Sequence, residues 1–304
     1  MRNFLKRFSI LIPIVMLPLG GWLGYRTFEG RSPAQLLEAI GAIPSLNLAL
    51  ALACTAASYA CLSGFDTLAM RYLGRDLAYR KIALTSFVAL GIGHTVGVAV
   101  LSSGALRYRF YSHFGLKAGE VAKLIVFCAI TVGLGLMTLA GLILTVRPGF
   151  GIGTMELPPA GVRAIGLLLL GLSALYWTLA WRRKRPLRFR EHEFKLPSPG
   201  IAAAQIGLGT LNFAFVAATL HQLLAGAASY SQTVAVYVTA NVSGLISHVP
   251  GGIGVLEFVI SSLVPGGNVV GALIAFRIIY FIIPLAIAAC LLVISELARL
   301  RRRR

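Results

Sequence analysis

The chain has 304 residues, of which 57% are hydrophobic and only 12% are charged. A soluble domain carries roughly 25% charged residues and does not need so many long apolar runs, so the composition excludes the soluble class. The formal net charge is +18. Because the basic residues form short clusters between apolar runs, they match cytoplasmic loops of a membrane protein, and a nucleic-acid partner is not expected.

Eight apolar runs have plausible ends, at 8–25, 45–69, 80–101, 118–146, 160–181, 199–224, 230–264 and 268–297. A helix needs about 20 apolar residues to cross a bilayer. The first run has a basic start like a signal peptide, but no Ala-x-Ala-like cleavage site follows before Arg26, which predicts a retained first helix. Ser32-Pro33 predicts a capped short helix over Ala34 to Ile43, lying at the interface.

The positive-inside rule fixes the predicted topology. If every run spans and the N-terminus is cytoplasmic, the Arg-rich loop 182–195 falls outside. The conflict disappears if the run at 80–101 enters the membrane and returns on the same side. The C-terminus, which ends in Arg301 to Arg304, must also be cytoplasmic, so the region 230–264 must begin and end outside. We therefore predict an all-α polytopic membrane protein with about six spanning helices and two re-entrant helical hairpins.

The element order then repeats with opposite orientation: helix 45–69, hairpin, helix 118–146, against helix 199–224, hairpin, helix 268–297. Opposed hairpins are typical of inverted-repeat transporters. The sequence predicts a single transmembrane domain over 1–304, with repeat-like halves at about 45–146 and 199–297.

The Gly-rich points in the two hairpins are the candidate cavity walls, because irregular backbone inside a membrane must be satisfied by protein or by water. The first contains Ser103 and Gly104 and is followed by Arg107 and Arg109. We expect a phosphate there, at the start of a half-helix and beside arginine, whose planar fork of donors binds phosphate well.

The second Gly-rich point contains Gly251, Gly252 and Gly254 and is followed by Glu257. If the repeat holds, Arg107 and Glu257 approach each other. Two interpretations stay open: a structural bridge that locks the hairpins, or a split headgroup site with Arg107 for a phosphate and Glu257 for an amine.

Three further residues are secondary candidates. Arg277 lies within the last helix and needs a partner, because an intramembrane charge is costly. His94 and His248 occupy corresponding hairpin positions, where packing histidines are more common than ligands or proton carriers. The signatures of nucleotide-binding, metalloprotease and serine-hydrolase sites are missing, so neither an enzyme nor a cofactor or metal is expected.

Two strings resemble a known family. They are Gly104-Ala105-Leu106-Arg107-Tyr108-Arg109-Phe110 and Ser247-His248-Val249-Pro250-Gly251-Gly252-Ile253-Gly254-Val255-Leu256-Glu257. Both resemble the flippase portion of bacterial lysylphosphatidylglycerol flippase/synthetases, the multiple peptide resistance factors. The resemblance implies movement of an aminoacylated phosphatidylglycerol to the outer leaflet of the cytoplasmic membrane, which confers resistance to cationic antimicrobial peptides. It also implies Arg107, Arg109 and Glu257 as headgroup residues. The family's synthase domain would follow this region, and here the chain stops at Arg304.

Two functions stay open at this stage. The first is a lipid flippase whose partners are anionic or aminoacylated phospholipids. The second is a non-transporting membrane subunit that presents lipid to a separate synthase, docked on the basic loop 182–195 or on the Arg-rich tail. A membrane-embedded transferase would need a nucleophile or metal cluster that the sequence does not offer. The oligomeric state is not predicted.

Overall fold

A computed structural model describes residues 32–94, 99–150, 158–182, 187–189, 192–194, 196–247, 254–264 and 268–301. Within these ranges five helices are long and apolar enough to cross a membrane: Ser45–Tyr72, Ala118–Val146, Pro159–Arg182, Pro199–Leu223 and Val269–Ala298. These match five of the predicted spans, and the sixth, at 8–25, lies outside the described residues. The predicted all-α polytopic membrane fold is confirmed.

The helices of the described ranges, in chain order, are α1 Pro33–Gly41, α2 Ser45–Tyr72, α3 Tyr79–Gly93, α4 Ala99–His113, α5 Ala118–Val146, α6 Pro159–Arg182, α7 Pro199–Leu223, α8 Tyr230–Ser247, α9 Val255–Leu263, α10 Val269–Arg277 and α11 Ile283–Arg301. A 3₁₀ turn at Pro148–Phe150 follows α5, and a π-helical segment at Ile278–Ile282 joins α10 to α11. In the predicted basic loop, strand β1 (Leu187–Phe189) pairs antiparallel with β2 (His192–Phe194). The sequence did not predict this short strand pair.

Helix α1 begins where the capping signal predicts. The Ser32 Oγ accepts a hydrogen bond from the amide of Gln35, and the Gln35 side chain accepts one from the Ser32 amide. This reciprocal pair satisfies two of the donors that a helix start leaves without partners. Leu37 on this helix is 72% exposed, as expected of a short helix that lies on a membrane surface.

The first hairpin consists of α3 and α4, which pack against each other. Each has 15 residues, so each is about 22 Å long and too short for a hydrocarbon core of about 30 Å. The predicted half-helix start at Ser103-Gly104 is wrong, because both residues lie inside α4, which begins at Ala99. Gly104 serves packing: a Cβ there would come within 3.1 Å of the Ile125 side chain.

The second hairpin consists of α8 and α9, which also pack against each other. Both helices lie within the predicted run 230–264, one on each side of the Gly-rich point. Helix α9 begins at Val255, after Gly254, whose φ of +84° lies in the region that favours glycine. Both hairpins therefore exist as helix pairs, but the first extends from Tyr79 to His113, so its predicted bounds of 80–101 are wrong. The re-entry of the two hairpins from opposite membrane faces stays a prediction.

The last span is interrupted by the π-helical segment. Pro284 has no amide hydrogen to donate to the carbonyl of Tyr280 four residues earlier, which explains why the regular helical pattern fails here. The Tyr59 hydroxyl of α2 donates to that carbonyl instead, with an O–O distance of 3.4 Å. The wide turn therefore connects the last span directly to α2.

One end of the bundle, which we call the basic end, contains the C-termini of α2 and α4 and the N-termini of α3 and α5. Two ion pairs join helix ends there. Arg75 Nε lies 2.8 Å from Glu120 Oε1, and Arg109 Nη2 lies 2.8 Å from Glu296 Oε2. At the opposite end, Asn47 donates to the carbonyl of Gln222 at 2.9 Å, which joins the start of α2 to the end of α7.

Helices α5 and α7 cross at a pair of glycines. A Cβ on Gly135 would lie 2.2 Å from the backbone carbon of Gly209, so neither position accepts a side chain without moving the helices apart. Small residues at such crossings allow close backbone packing between membrane helices. Beside this crossing, Gln205 of α7 donates to the Thr131 hydroxyl of α5 at 2.9 Å. The crossing places α7 against both α5 and α2 in the centre of the bundle.

Candidate functional site

The first hairpin carries a buried ion pair between Arg107 of α4 and Asp66 of α2. Arg107 Nη2 lies 2.7 Å from Asp66 Oδ1, and Nε lies 3.1 Å from Oδ2, so the contact is bidentate. The two side chains are 5% and 0% exposed. A planar guanidinium facing a carboxylate in this way makes a strong, oriented contact.

Two further donors complete the shell of Asp66. The Tyr111 hydroxyl donates to Oδ2 at 2.7 Å, and the Cys128 thiol donates to Oδ1 at 3.4 Å. Because each carboxylate oxygen accepts two bonds, the charge is well satisfied inside the bundle. Through Arg107, Tyr111 and Cys128, the Asp66 carboxylate of α2 is bonded to both α4 and α5.

The second hairpin carries a different ion pair, between Glu257 of α9 and Arg277 of α10. Arg277 Nε lies 2.7 Å from Glu257 Oε1, and the amide of Gly254 donates to Oε2 at 2.8 Å. The Arg277 guanidinium also lies over the Phe281 ring, 5.0 Å from its centroid. Glu257 is 25% exposed and Arg277 is 9% exposed, so this pair is the more open of the two.

The approach of Arg107 to Glu257 that the sequence analysis expected does not occur. Each of these charges pairs with a residue outside its own Gly-rich string. The physical reason is depth. Arg107 lies six residues, or about 9 Å, before the basic end of α4, and Asp66 lies six residues before the same end of α2. Arg277 lies eight residues, or about 12 Å, after the opposite end of its helix. The two pairs therefore occupy opposite halves of the bundle.

Between the two pairs lies a layer of hydrogen-bonded neutral side chains. Ser58 of α2 donates to Asn212 Oδ1 of α7 at 2.8 Å, and its oxygen lies 3.0 Å from the Tyr280 hydroxyl in the π-helical segment. Ser58 and Asn212 are each thirteen residues from the start of their helices, about 20 Å along the axis. This layer sits near the middle of the bundle and connects the helices that hold the two ion pairs.

The structure places the remaining sequence candidates as follows. Arg109 pairs with Glu296 near the basic end, and Ser103 is buried within α4. The His94 ring is stacked on Tyr280, with centroids 6.5 Å apart. Gly251, Gly252 and His248 lie outside the described residues.

Asp66 is the site residue that sequence reasoning missed, because it was not among the candidates named from the sequence. A usable signal was present. Asp66 of α2 and Arg107 of α4 each lie six residues before the basic end of their helix, and an intramembrane charge needs a partner of opposite sign. The partner predicted to exist for Arg277 is confirmed as Glu257.

No protein-family model matches the chain. The chain is 34% identical over 276 residues to an uncharacterized protein of Synechocystis sp., an alignment that covers 89% of this chain and 86% of that protein. It is 32% identical over 255 residues to inner membrane protein YbhN of Escherichia coli, which covers 80% and 78% of the two chains. It is also 26% identical over 298 residues to phosphatidylglycerol lysyltransferase of Staphylococcus aureus, covering 88% of this chain but 31% of that protein.

Identity above 30% across most of both chains shows a shared family. The five apolar helices and the inner membrane relative together support location in a bacterial inner membrane. Homology to about a third of the lysyltransferase connects the chain to proteins of lipid modification or transport, in agreement with the resemblance read from the two hairpin strings. The chain belongs to the family of bacterial inner membrane proteins that includes YbhN, and it is homologous to a membrane region of phosphatidylglycerol lysyltransferase.

Proposed function

We propose that this protein translocates an aminoacylated or anionic phospholipid, such as lysylphosphatidylglycerol, between the two leaflets of the inner membrane. In a bacterium this transport would lower the negative charge of the outer surface and reduce sensitivity to cationic antimicrobial peptides. The observation that carries the proposal is the placement of one ion pair on each hairpin, in opposite halves of the bundle and with unequal exposure.

Intramembrane charges are costly, and in transporters they mark substrate pathways. The Glu257–Arg277 pair offers both signs of charge at a partly exposed position. A lysyl headgroup carries ammonium groups and a phosphate. Glu257 would bind an ammonium, and Arg277 would bind the phosphate through its planar fork of donors.

The unequal exposure supports alternating access. In the conformation described, Arg107 is buried and paired with Asp66, whereas the Glu257 side chain is 25% exposed. We propose that the reciprocal conformation opens the basic end, where Arg107 exchanges Asp66 for a headgroup phosphate and Arg109 adds a second positive charge. Rocking of repeat-like halves around a central layer is the usual mechanism of inverted-repeat transporters. The basic end is the cytoplasmic face in this proposal.

The test is a leaflet-translocation assay in sealed proteoliposomes that contain lysylphosphatidylglycerol in both leaflets. A membrane-impermeant amine-reactive reagent added outside modifies only the outer-leaflet headgroups in protein-free vesicles. With the protein present, we expect the inner-leaflet pool to be modified as well, at a rate that depends on the amount of protein. Vesicles that contain an unrelated membrane protein measure leakage.

Two results decide the outcome. Modification that stops at the outer leaflet, in protein shown to be folded by thermal unfolding, would refute translocation of this lipid. A fluorescent phosphatidylglycerol, reduced from outside by dithionite, shows whether the aminoacyl group is required. If both lipids move, the phosphate contact dominates; if only the lysyl lipid moves, Glu257 sets the specificity.

A second function is favoured by one comparison. The chain matches only 31% of the Staphylococcus lysyltransferase, so in that relative a homologous membrane region is joined to a longer chain. A membrane subunit that presents lipid to a separate synthase would reproduce this arrangement in two chains. In that case the purified protein would bind lysylphosphatidylglycerol but fail to move it, and a synthase would co-purify with it from membranes.

A further inference from the structure

A groove of about 370 Å³ runs along the surface between α2 and α3. Its walls are mainly apolar and include several small side chains. The lining residues are Ala56, Tyr59, Ala60 and Ser63 of α2 and Ala83, Leu84 and Phe87 of α3. Ala56 and Ala60 are exposed on the outer face of a membrane-spanning helix. In a bilayer this face meets acyl chains, so the groove is open to lipid from the side.

The floor of the groove reaches the central layer. Tyr59 lines the groove, and its hydroxyl donates to the Tyr280 carbonyl in the π-helical segment. At the end nearest the basic end, the hydroxyls of Ser63 and Tyr79 lie 3.0 Å apart and join the two walls. The groove therefore occupies the half of the bundle that contains the closed Arg107 site.

Both walls lead to an exposed arginine at the basic end. Arg80 lies three, four and seven residues before Ala83, Leu84 and Phe87, which places it on the same face of α3. Arg71 lies eleven residues after Ala60, about three helical turns, and so continues the groove face of α2. From Phe87 to Arg80 the distance along the axis is about 10 Å. An apolar groove that ends at two positive charges matches a phospholipid in both shape and charge.

Other charged side chains lie near Arg71 and Arg80 at the basic end of the groove, and they do not neutralise its positive charge. Arg75 is engaged by Glu120, and the Lys81 ammonium lies over the Phe114 ring at 5.1 Å. Asp76 is the acidic residue of the connecting loop. The balance at the basic end of the groove remains positive, and the amides of the first turn of α3 favour an anion there as well.

We propose that the α2–α3 groove binds an anionic phospholipid from the leaflet at the basic end, with one acyl chain along Ala56, Ala60 and Phe87 and the phosphate at Arg71 and Arg80. This inference rests on the proposed function and deepens it, because it assigns the site at which the anionic lipid of that proposal is held before its headgroup enters. The groove lies beside the first hairpin, so a lipid held there has its phosphate at the same end as Arg107.

The experiment uses the purified full chain in phosphatidylcholine nanodiscs that contain a trace of phosphatidylglycerol with a photoreactive diazirine in its acyl chain. After illumination, mass spectrometry of the digested protein locates the adducts. We expect adducts on the groove residues of α2 and α3, and several-fold more labelling than with a matched photoreactive phosphatidylcholine. Each change, Arg71→Gln or Arg80→Gln, should lower phosphatidylglycerol labelling about fivefold, the effect of one basic residue near a membrane surface.

Two changes fill the groove, Ala60→Phe and Ala56→Phe, and each should remove the groove adducts. The matched controls are Ala164→Phe, at an exposed position of α6, and Arg182→Gln, at the exposed end of α6, and both should label as the unchanged protein does. Thermal unfolding shows that each variant is folded. Equal labelling by both lipids, unaffected by Ala60→Phe, would mean ordinary boundary lipid and would overturn the proposal.

The outcome separates this site from the proposed function. Translocation without groove labelling would overturn the groove and leave the flippase. Specific labelling without translocation would establish the groove and refute transport by the chain alone.

Discussion

The two hairpins hold their charges in contrasting ways. Asp66 on the first pair accepts from two guanidinium nitrogens, a tyrosine hydroxyl and a thiol, and its side chain is fully buried. Glu257 on the second pair accepts from Arg277 and from the amide that precedes its own helix, and a quarter of its side chain is exposed. The Arg107–Asp66 pair is therefore inaccessible to water, whereas the Glu257 carboxylate is partly accessible.

This difference shows that similar strings at hairpin tips do not create similar sites. Arg107 is buried against Asp66 of α2 in the half of the bundle nearest the basic end, within a helix α4 that continues through Ser103 and Gly104. Glu257 sits in the first turn of α9, directly after a glycine with positive φ. These positions explain why the first ion pair is buried and the second is partly exposed. We therefore expect the Arg107–Asp66 pair to matter most for stability and the Glu257–Arg277 pair to matter most for transport.

The largest expected effect is on the buried pair. Arg107→Ala leaves Asp66 charged and buried without its main partner, which typically costs about 3–5 kcal/mol of stability. Chemical unfolding in detergent measures this loss. Asp66→Asn combined with Arg107→Gln should recover part of it, because the uncompensated charge is gone. A single variant as stable as the unchanged protein would show that the pair does not hold the hairpin.

The open pair should contribute less to stability. Glu257→Gln keeps an acceptor for the Gly254 amide and loses one charge-assisted hydrogen bond, so we expect a loss of about 1.5 kcal/mol. The same unfolding measurement compares it with Arg107→Ala. If Glu257→Gln proved the more destabilising of the two, the distinction between a closed pair and an open pair would fail.

The central layer tests whether the two halves are connected. Tyr280→Phe removes the hydroxyl that contacts Ser58 while keeping the ring stacked on Phe276, at a cost of about 1 kcal/mol. Ser58→Ala removes the same contact from the other side. Free energies of unfolding for both single variants and the double variant give the coupling. Additive losses would mean that the two groups do not interact.

The smallest expected effect is at the basic end. Arg75→Gln breaks an ion pair in which Arg75 is 44% exposed and screened by solvent, so no measurable loss of stability is expected. The comparison with Arg107→Ala is direct, because each change removes one arginine from one acidic partner. A large loss for Arg75→Gln would indicate that the helix ends are held by this contact.

Much of the fold follows from hydropathy and charge. The spans and the short capped helix over Pro33–Gly41 are visible in local sequence. The two hairpins were predicted from the charge of the loops along the whole chain. Site partners were harder to predict, since a helix position gives depth but not which neighbour packs at that depth. Asp66 was missed for this reason. The π-helical turn is explained by Pro284, but its contact with Tyr59 depends on the packing of α2.

The central claim is that the charged pairs on the hairpins handle the lipid headgroup. Its most direct test compares lysylphosphatidylglycerol translocation by Glu257→Gln and by Glu120→Gln in proteoliposomes. Each variant removes one carboxylate that is paired with an arginine and hydrogen-bonded to a backbone amide three residues earlier. We predict that Glu257→Gln loses most of the protein-dependent rate while Glu120→Gln retains it. Equal rates for the two folded variants would contradict the claim.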